Sequence, residues 1–258
     1  MKTSRLILTC ILLSFVVALP AVAGPRTFVS GLGNDANPGT REQPKRTFAS
    51  ALTVTNPGGQ IVALDSAGYA SSTLTINKSV SIIVPPGVAG FITVSGANDG
   101  ITINAAATDV VSIRGLIIEN SSRSASPSGI RSNSVGTLRV EDCAVRNFNY
   151  GILFYPSNEG HLQVHGGSAR QNVFGIYLAP STAVPVDGIV TDCRLENNGY
   201  GLFVNAANGG TARLTAGDCT ISGNGIGIYP AGEITSFGNN SFAYNGENGF
   251  FTNTTPRF

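Results

Sequence analysis

A pattern that recurs along the chain constrains its fold more than any other feature of the sequence. Five segments align without gaps between residues 142 and 251, and in each a glycine follows the first position by nine residues. With two looser upstream copies, the repeated glycines are Gly100, Gly129, Gly151, Gly175, Gly201, Gly227 and Gly249, at intervals of 22 to 29 residues. Each repeat holds short runs in which apolar and polar residues alternate, such as the one containing Leu138 and Val140. Three short strands per repeat predict an all-β solenoid, a single-stranded parallel β-helix of roughly eight coils, because such repeats bury an apolar face only by stacking.

The opening segment and the repeats together resemble a known group of proteins. Residues 26–40 read RTFVSGLGNDANPGT, and Pro44 and the segment TFASAL at 47–52 follow. This opening is similar to that of many secreted bacterial right-handed parallel β-helix proteins, and the repeats resemble the coils of the same pectate-lyase-like superfamily. The resemblance implies an N-terminal cap over residues 24–58, with a strand, a turn and a short helix, and a right-handed parallel β-helix over residues 59–258. It implies little about function, because the superfamily contains lyases, hydrolases, adhesins and proteins of unknown role.

The first 23 residues have the organisation of a secretory signal peptide. Lys2 and Arg5 precede an almost wholly apolar stretch at 6–19, and Ala21 and Ala23 offer a cleavage site before Gly24. Cleavage would remove two of the 16 basic residues and leave 14 against 15 acidic ones, a net charge of −1. This balance argues against a nucleic-acid partner, and no later stretch is long and apolar enough to cross a membrane. We therefore expect a secreted or periplasmic protein with no integral membrane segment after cleavage.

Cysteine and histidine are scarce after residue 23. Cys143, Cys193 and Cys219 occupy equivalent positions in three repeats, and His161 and His165 are the only histidines. No CxxC occurs, so we expect no metal site and no cofactor. Cys193 and Cys219 fall on neighbouring coils, about 4.8 Å apart, where a disulfide is conceivable. Parallel side chains in register converge poorly, so the sequence predicts three free thiols that point inward.

The first position of each repeat forms a column of small and polar residues. Its members are Gly115, Asp142, Gly166, Asp192, Asp218 and Asn240. The aspartates could form a metal or acid–base cluster, or the column could be a set of tight turns. Glycine and asparagine favour the turn, and Asp192 and Asp218 would repel each other on adjacent coils. The resemblance implies that a turn between the second and third strands of each coil carries a stack of asparagines. We predict that the residues of this column form that turn.

The strand that begins at the repeated glycine provides the candidate binding surface. Alternation directs one residue per coil inward: Ile130, Ile152, Ile176, Leu202, Ile228 and Phe250. It directs their neighbours outward: Thr102, Arg131, Leu153, Tyr177, Phe203, Tyr229 and Phe251. The last four would form an aromatic ladder on the face where related polysaccharide-degrading enzymes bind sugar chains. The candidate carbohydrate-binding residues are therefore Tyr177, Phe203, Tyr229, Phe251 and Arg131. The alternative is that loops or a partner chain cover the ladder.

The same outward face lacks the groups that the related enzymes use. Polysaccharide lyases of the superfamily place acidic calcium ligands and a basic residue there, and its hydrolases place clustered aspartates. From Leu153 to Phe251 the outward column contains no charged residue, and only Arg131, close to residues 121–127, is charged. Glu141 and His165 occupy equivalent outward positions on adjacent coils and could pair. No catalytic residue is assigned.

These observations favour an exported, non-catalytic module that binds carbohydrate or acts at a surface, with a polysaccharide as its partner. Two alternatives stay open. One is a polysaccharide lyase or glycoside hydrolase with a divergent site, and the other is a structural or assembly module. Oligomers could form through the C-terminal coil or the aromatic ladder, because an uncapped coil presents unpaired strand edges.

Overall fold

The computed structural model describes residues 24–122 and 128–255, so the predicted signal peptide lies outside the described residues. It contains one short helix, α1 (Phe48–Val54), and otherwise strands. The first thirteen strands are β1 (Gly24–Val29), β2 (Thr55–Ala63), β3 (Ala67–Ala70), β4 (Leu74–Ile76), β5 (Val80–Ile83), β6 (Gly90–Val94), β7 (Ile101–Asn104), β8 (Val110–Arg114), β9 (Leu116–Asn120), β10 (Ser128–Ser134), β11 (Thr137–Glu141), β12 (Ala144–Arg146) and β13 (Tyr150–Phe154). The remaining strands are β14 (Gly160–His165), β15 (Ser168–Arg170), β16 (Phe174–Leu178), β17 (Pro185–Thr191), β18 (Arg194–Glu196), β19 (Tyr200–Asn205), β20 (Thr211–Gly217), β21 (Thr220–Ser222), β22 (Ile226–Ala231), β23 (Glu233–Ser236), β24 (Ser241–Ala243) and β25 (Asn253–Thr254).

The strands wind into three parallel sheets, and each strand pairs with its counterparts one coil before and one coil after. The first sheet has the order β1-β2-β5-β8-β11-β14-β17-β20-β23-β25, the second β3-β6-β9-β12-β15-β18-β21-β24, and the third β4-β7-β10-β13-β16-β19-β22. This is the predicted right-handed parallel β-helix. The third sheet has seven strands in the described part of the chain, so at most seven coils are complete, slightly fewer than the roughly eight predicted. No helix of the described residues is long and apolar enough to span a membrane.

The cap has the predicted order of a strand, a turn and a short helix. Strand β1 pairs in parallel with β2, and the residue at the predicted 58/59 boundary lies within β2. The side chain of Thr47 caps α1 by accepting a hydrogen bond from the Ser50 amide at 3.2 Å. The carboxylate of Asp35 accepts hydrogen bonds from the amides of Arg46 and Thr47, both at 2.9 Å. These bonds fix the turn in front of the helix.

The core is a set of aliphatic columns that run along the solenoid. The inward positions of the third sheet follow the predicted alternation at Ile130, Ile152, Ile176, Leu202 and Ile228, which are 0–3% exposed. The repeated glycines lie where adjacent coils approach most closely. A Cβ atom at Gly201 would lie 2.6 Å from the carbonyl oxygen of Gly227. Any side chain there would force the coils apart, which explains why glycine recurs at this position.

Candidate functional site

The outer face of the third sheet carries two rows of aromatic rings. Tyr150, Phe174 and Tyr200 occupy the position before the repeated glycine, and Tyr177, Phe203 and Tyr229 occupy the position two residues after it. Within each row, ring centroids are 4.7–5.0 Å apart and ring planes lie within 9–13° of each other. We call these six residues the aromatic strip. The strip contains three of the predicted ladder residues.

The two rows of the aromatic strip also contact each other edge to face. The rings of Phe174 and Tyr177 lie 5.4 Å apart at 87°, and those of Tyr200 and Phe203 lie 5.3 Å apart at 82°. Faces therefore stack along each row while edges meet across the rows, the arrangement that aromatic quadrupoles favour. Most ring faces are turned towards neighbouring rings. The strip consequently presents ring edges and tyrosine hydroxyls to solvent, and its most exposed ring is Tyr229, at 42%.

Amide side chains border the aromatic strip. The Nδ2 atom of Asn205 donates a hydrogen bond to the hydroxyl of Tyr177 at 3.0 Å, and Nδ2 of Asn208 donates to the hydroxyl of Tyr155 at 3.0 Å. Burial raises the pKa of the Tyr150 hydroxyl, so this group stays protonated at neutral pH. The border thus combines apolar ring edges with fixed hydrogen-bonding groups.

Arg131 lies on the same face, beyond the N-terminal end of the aromatic strip. Its Nε atom lies 3.0 Å from Oδ2 of Asp99, and the same oxygen accepts a hydrogen bond from Thr102 at 3.0 Å. Leu153 separates Arg131 from Tyr177 in the column and is buried. The structure therefore places Arg131 in line with the ladder, but its charge is balanced by Asp99. The sequence analysis missed Asp99 as part of this face.

The last repeat departs from the predicted alternation. Phe250, which was expected to point inward, is 65% exposed, so that prediction is wrong. Phe251 does not continue the ring stack: it is half-buried, and its ring contacts Phe242 at 6.0 Å. The physical reason lies in the preceding backbone. Gly249 has a φ of +70°, and Ile226 bridges to Glu247, so the chain turns here and its register slips.

The row formed by Tyr150, Phe174 and Tyr200 was also missed by the sequence analysis. Strict alternation places the glycine outside and the residue before it inside, whereas the rings of Phe174 and Tyr177 lie on the same face, so the alternation breaks at the glycine. Glycine has no side chain, so the sequence does not show which face of the sheet this position occupies. The residues before the glycine are of types that are typical of a turn. The column of aromatic residues one position before the glycine was the available clue.

The column of aspartates consists of turn residues, as interpreted from the sequence. Asp142, Asp192 and Asp218 have φ values of 51°, 56° and 55°, in the left-handed region that tight turns use. Asp142 lies 3.6 Å from the guanidinium of Arg114, and Asp192 lies 3.3 Å from Nδ1 of His165. Within residues 24–122 and 128–255, no group of three or more His, Cys, Asp or Glu side chains is arranged to hold a metal ion.

A stack of asparagines exists, but in a different turn from the one assigned. Its members are Asn172, Asn198, Asn224 and Asn245, which follow the second strand of each coil. The side-chain oxygens of Asn198, Asn224 and Asn245 each accept hydrogen bonds from the backbone amide and the Nδ2 atom of the asparagine one coil earlier, at 2.9–3.2 Å. The oxygen of Asn172 accepts from the backbone amide of Phe148 at 3.0 Å. The aspartate column instead follows the first strand, so the predicted location of the stack is wrong. We call this stack the asparagine ladder.

Glu141 and His165 lie opposite each other in the first sheet, but their side chains turn apart. Strands β11 and β14 pair these two residues in register. The carboxylate of Glu141 lies 3.8 Å from Arg114, whereas Nδ1 of His165 lies 3.0 Å from the hydroxyl of Thr191. Each residue thus interacts with the coil on its other side. This arrangement gives no Glu–His pair for acid–base chemistry.

The three cysteines form the predicted inward column and are free and buried. Burial raises the pKa of Cys143 to about 12. The neighbouring Cys219 thiol and burial raise the pKa of Cys193. Gly167 occupies the same column between Cys143 and Cys193, so only Cys193 and Cys219 are direct neighbours. A small cavity of about 10 Å³ lies in the core nearby, with Cys143, Gly166 and Cys193 in its lining.

We expect a protein that lacks residues 1–23 to release three thiols on denaturation without reductant. Under native conditions the same thiols should react slowly with an alkylating reagent near pH 8, because they are buried and the pKa values of Cys143 and Cys193 are raised. Thiol titration in denaturant measures the total. A single reactive thiol would contradict the prediction and would mean that two of the three cysteines form a disulfide.

The three sheets, the cap and the inward columns define a right-handed parallel β-helix protein. A family model described as "Periplasmic copper-binding protein (NosD)" matches residues 70–256, which is 187 of 258 residues. The chain belongs to this family. The periplasmic description agrees with the predicted export.

The remaining comparisons are with curated proteins and with solved structures. No curated protein matches the chain. Among solved structures, the crystal structure of pectate lyase Pel9A is similar at 14% identity and a TM-score of 0.44, over 90% of this chain and 78% of that one. A rhamnogalacturonan lyase is similar at 12% identity and a TM-score of 0.40, over 83% of this chain and 73% of that one.

Proposed function

We propose that the protein is an exported, non-catalytic β-helix module that binds a saccharide chain along the aromatic strip. The observation that carries this proposal is the strip itself, six partly exposed rings on one face at a spacing of 4.7–5.0 Å. Surface apolar groups in a continuous array are typical of binding sites. The regular spacing suits a ligand that also repeats.

The packing of the rings defines how a saccharide would bind. Because most ring faces stack on other rings, the sugar would contact ring edges rather than lie flat on each ring. The exception is Tyr229, whose ring ends its row and is 42% exposed. Hydroxyl groups of the sugar would meet the tyrosine hydroxyls and the amides of Asn205 and Asn208 that border the strip. Tyr229 is therefore expected to contribute most to affinity.

The charges on this face favour binding over catalysis. Arg131 and Asp99 are the charged residues beside the strip, and they pair with each other at 3.0 Å. Arg131 and Thr102 both contact Oδ2 of Asp99, so this oxygen is engaged by the protein rather than offered to a ligand. The outward residues Leu153, Tyr177 and Phe203 include no carboxylate and no basic side chain. The proposal therefore assigns no bond-breaking step to the strip.

Replacing Tyr229 by serine should weaken polysaccharide binding roughly fivefold, the equivalent of about 1 kcal/mol for one aromatic contact. Binding to a panel of acidic and neutral polysaccharides would be measured by calorimetry and affinity electrophoresis. The matched control is Tyr244→Ser, because Tyr244 is 94% exposed and lies outside the strip. The combined change of Tyr177, Phe203 and Tyr229 to serine should abolish binding and also lower the melting temperature, since it removes the ring stack.

The same panel separates the alternatives. Release of unsaturated or reducing ends would identify a lyase or hydrolase and contradict the non-catalytic proposal. If no polysaccharide binds, the strip is a packing or assembly surface. Equal binding by wild type and the triple variant would mean that the site lies elsewhere.

A second candidate function is copper binding, which the family description names. The histidines do not support it, because His161 and His165 lie four residues apart on strand β14, about 13 Å, which is too far for one ion to bridge. The thiols are the better donor set: Cys193 and Cys219 are buried at equivalent positions on adjacent coils, and soft thiolate ligands suit monovalent copper. These two cysteines are the residues that would hold the ion. Metal analysis of protein purified from copper-supplemented cells tests this function.

A further inference from the structure

We propose that Asn248 is a site of spontaneous deamidation, at which the backbone nitrogen of Gly249 attacks the Asn248 side chain and converts it to isoaspartate or aspartate. Glycine hinders this attack least, because it has no side chain. Five asparagines of the chain are followed directly by glycine: Asn198, Asn208, Asn224, Asn245 and Asn248. Among the described residues, only Asn248 has both the attacking and the leaving nitrogen free of other hydrogen bonds. The inference does not depend on saccharide or copper binding.

The reaction needs only water. The backbone nitrogen of Gly249 loses its proton and forms a bond to Cγ of Asn248, the Cγ–Nδ2 bond breaks, and ammonia leaves with a proton supplied by water. The product is a five-membered imide ring. Water then opens this ring: cleavage at Cγ gives aspartate, and cleavage at the main-chain carbonyl carbon gives isoaspartate. No oxidant or reductant takes part.

The asparagine ladder shows what blocks the reaction. The amide of Gly199 donates to the carbonyl oxygen of Asn172 at 3.0 Å, which holds the proton that the attacking nitrogen has to lose. The leaving group is held as well, because Nδ2 of Asn198 donates to the carbonyl oxygen of Ala169 and to Oδ1 of Asn224, both at 3.0 Å. The other two ladder members that precede glycine have the same two restraints.

Asn248 lacks both restraints and has an activating contact. Within residues 24–122 and 128–255, neither Nδ2 of Asn248 nor the amide of Gly249 donates a hydrogen bond, and both residues are exposed. Nδ2 of Asn245 donates a hydrogen bond to Oδ1 of Asn248 at 3.0 Å. A donor at this oxygen stabilises the negative charge that develops there when Cγ is attacked, as the donors of an oxyanion hole do.

Asn208 provides an intermediate case. It is exposed and precedes Gly209, but its Nδ2 atom donates to the hydroxyl of Tyr155 and to the carbonyl oxygen of Pro180, both at 3.0 Å. The leaving group is therefore held, although water reaches it. We expect Asn208 to react more slowly than Asn248 and faster than the buried Asn198.

The modification would open the end of the solenoid. The main-chain carbonyl oxygens of Glu247 and Asn248 accept hydrogen bonds from the amides of Gly227 and Ile228, at 2.7 and 3.0 Å, and so cover the edge of β22. In isoaspartate the main chain runs through the former side chain, and the former main-chain carbonyl becomes a free carboxylate. The pairing with Ile228 is thereby disrupted, and a strand edge is exposed.

The test compares native and unfolded protein that lacks residues 1–23, both incubated at mildly alkaline pH. Digestion after glutamate separates Asn245, in peptide 234–247, from Asn248, in peptide 248–258. Mass spectrometry with electron-transfer fragmentation measures the conversion of each asparagine. All five should react at similar rates in the unfolded chain. In the native protein Asn248 should react at least as fast as when unfolded, whereas Asn198 and Asn224 should react at least about tenfold more slowly, because they must first open locally.

Asn253 is the internal control, because it is exposed in the same peptide but precedes threonine, whose side chain hinders the attack. In the wild type, hydrogen exchange at the Ile228 amide should accelerate as isoaspartate accumulates. Asn248→Gln, which would have to form a six-membered ring, should keep that exchange slow. If native protein converted Asn198 as fast as Asn248, or converted Asn248 more slowly than the unfolded chain does, the proposal would be overturned.

Discussion

Replacing Ile228 by aspartate should destabilise the protein by about 4 kcal/mol or more and lower its melting temperature by about 10 °C. Ile228 is 1% exposed and stacks on Leu202 in the inward column of the third sheet. A carboxyl group at this position would lose its hydration with no partner to replace it. Thermal and denaturant unfolding measure the effect.

The control for this change is Ile189→Asp. Ile189 lies on the outer face of the first sheet and is 38% exposed, so the new carboxylate would stay hydrated. We expect its effect to be less than about 1 kcal/mol. If Ile228→Asp were as harmless as Ile189→Asp, the assignment of inward and outward residues in the third sheet would be wrong, and with it the position of the aromatic strip.

Replacing Asn198 by leucine should cost about 4 kcal/mol, although leucine has a similar volume. Asn198 is 4% exposed, and its Oδ1 atom accepts hydrogen bonds from the amide and Nδ2 of Asn172 at 3.0 and 3.2 Å. Its Nδ2 atom donates to the carbonyl of Ala169 and to Oδ1 of Asn224, both at 3.0 Å. Leucine would leave these buried groups without partners. Denaturant unfolding gives the free-energy difference.

Asn133→Leu is the matched control for the asparagine ladder. Asn133 lies at the surface, where its side chain donates to Asn104 at 2.9 Å and water can replace that bond. A loss of less than about 1 kcal/mol is expected there. Similar losses at both positions would mean that the ladder adds no stability beyond that of an ordinary surface hydrogen bond.

Much of the fold could be predicted because the signal was periodic. Glycine recurs where coils approach too closely for a Cβ atom, as at Gly201, and apolar residues recur where side chains point inward, as at Ile176. Each coil repeats the same physical constraint, so an error in one repeat is corrected by the others. The three cysteines and the turn conformation of Asp142 and Asp192 followed from the same frame.

The features that could not be predicted involve residue types that occur both in exposed turns and in specific side-chain interactions. Asparagine is common in turns, so Asn172 and Asn198 read as turn residues although their side chains are buried. Asp99 reads as a loop residue before Gly100 until the coil brings it to Arg131, 32 positions later in the chain. The prediction for the last repeat was wrong because Gly249 keeps the nine-residue spacing of the pattern, although its φ is positive and the chain turns there. Spacing alone does not report a dihedral angle.

The asparagine ladder also has a direction, and this direction bears on the order in which the coils can be completed. The backbone amides of Phe148, Asn172, Asn198 and Asn224 each donate to the asparagine one coil closer to the C-terminus. A chain that has extended only as far as Asn198 therefore contains a newly formed coil whose buried amide has no acceptor until Asn224 arrives. Each coil therefore completes the hydrogen bonds of the coil before it, and a solenoid cut after Asn198 would leave a buried amide unpaired at its C-terminal end.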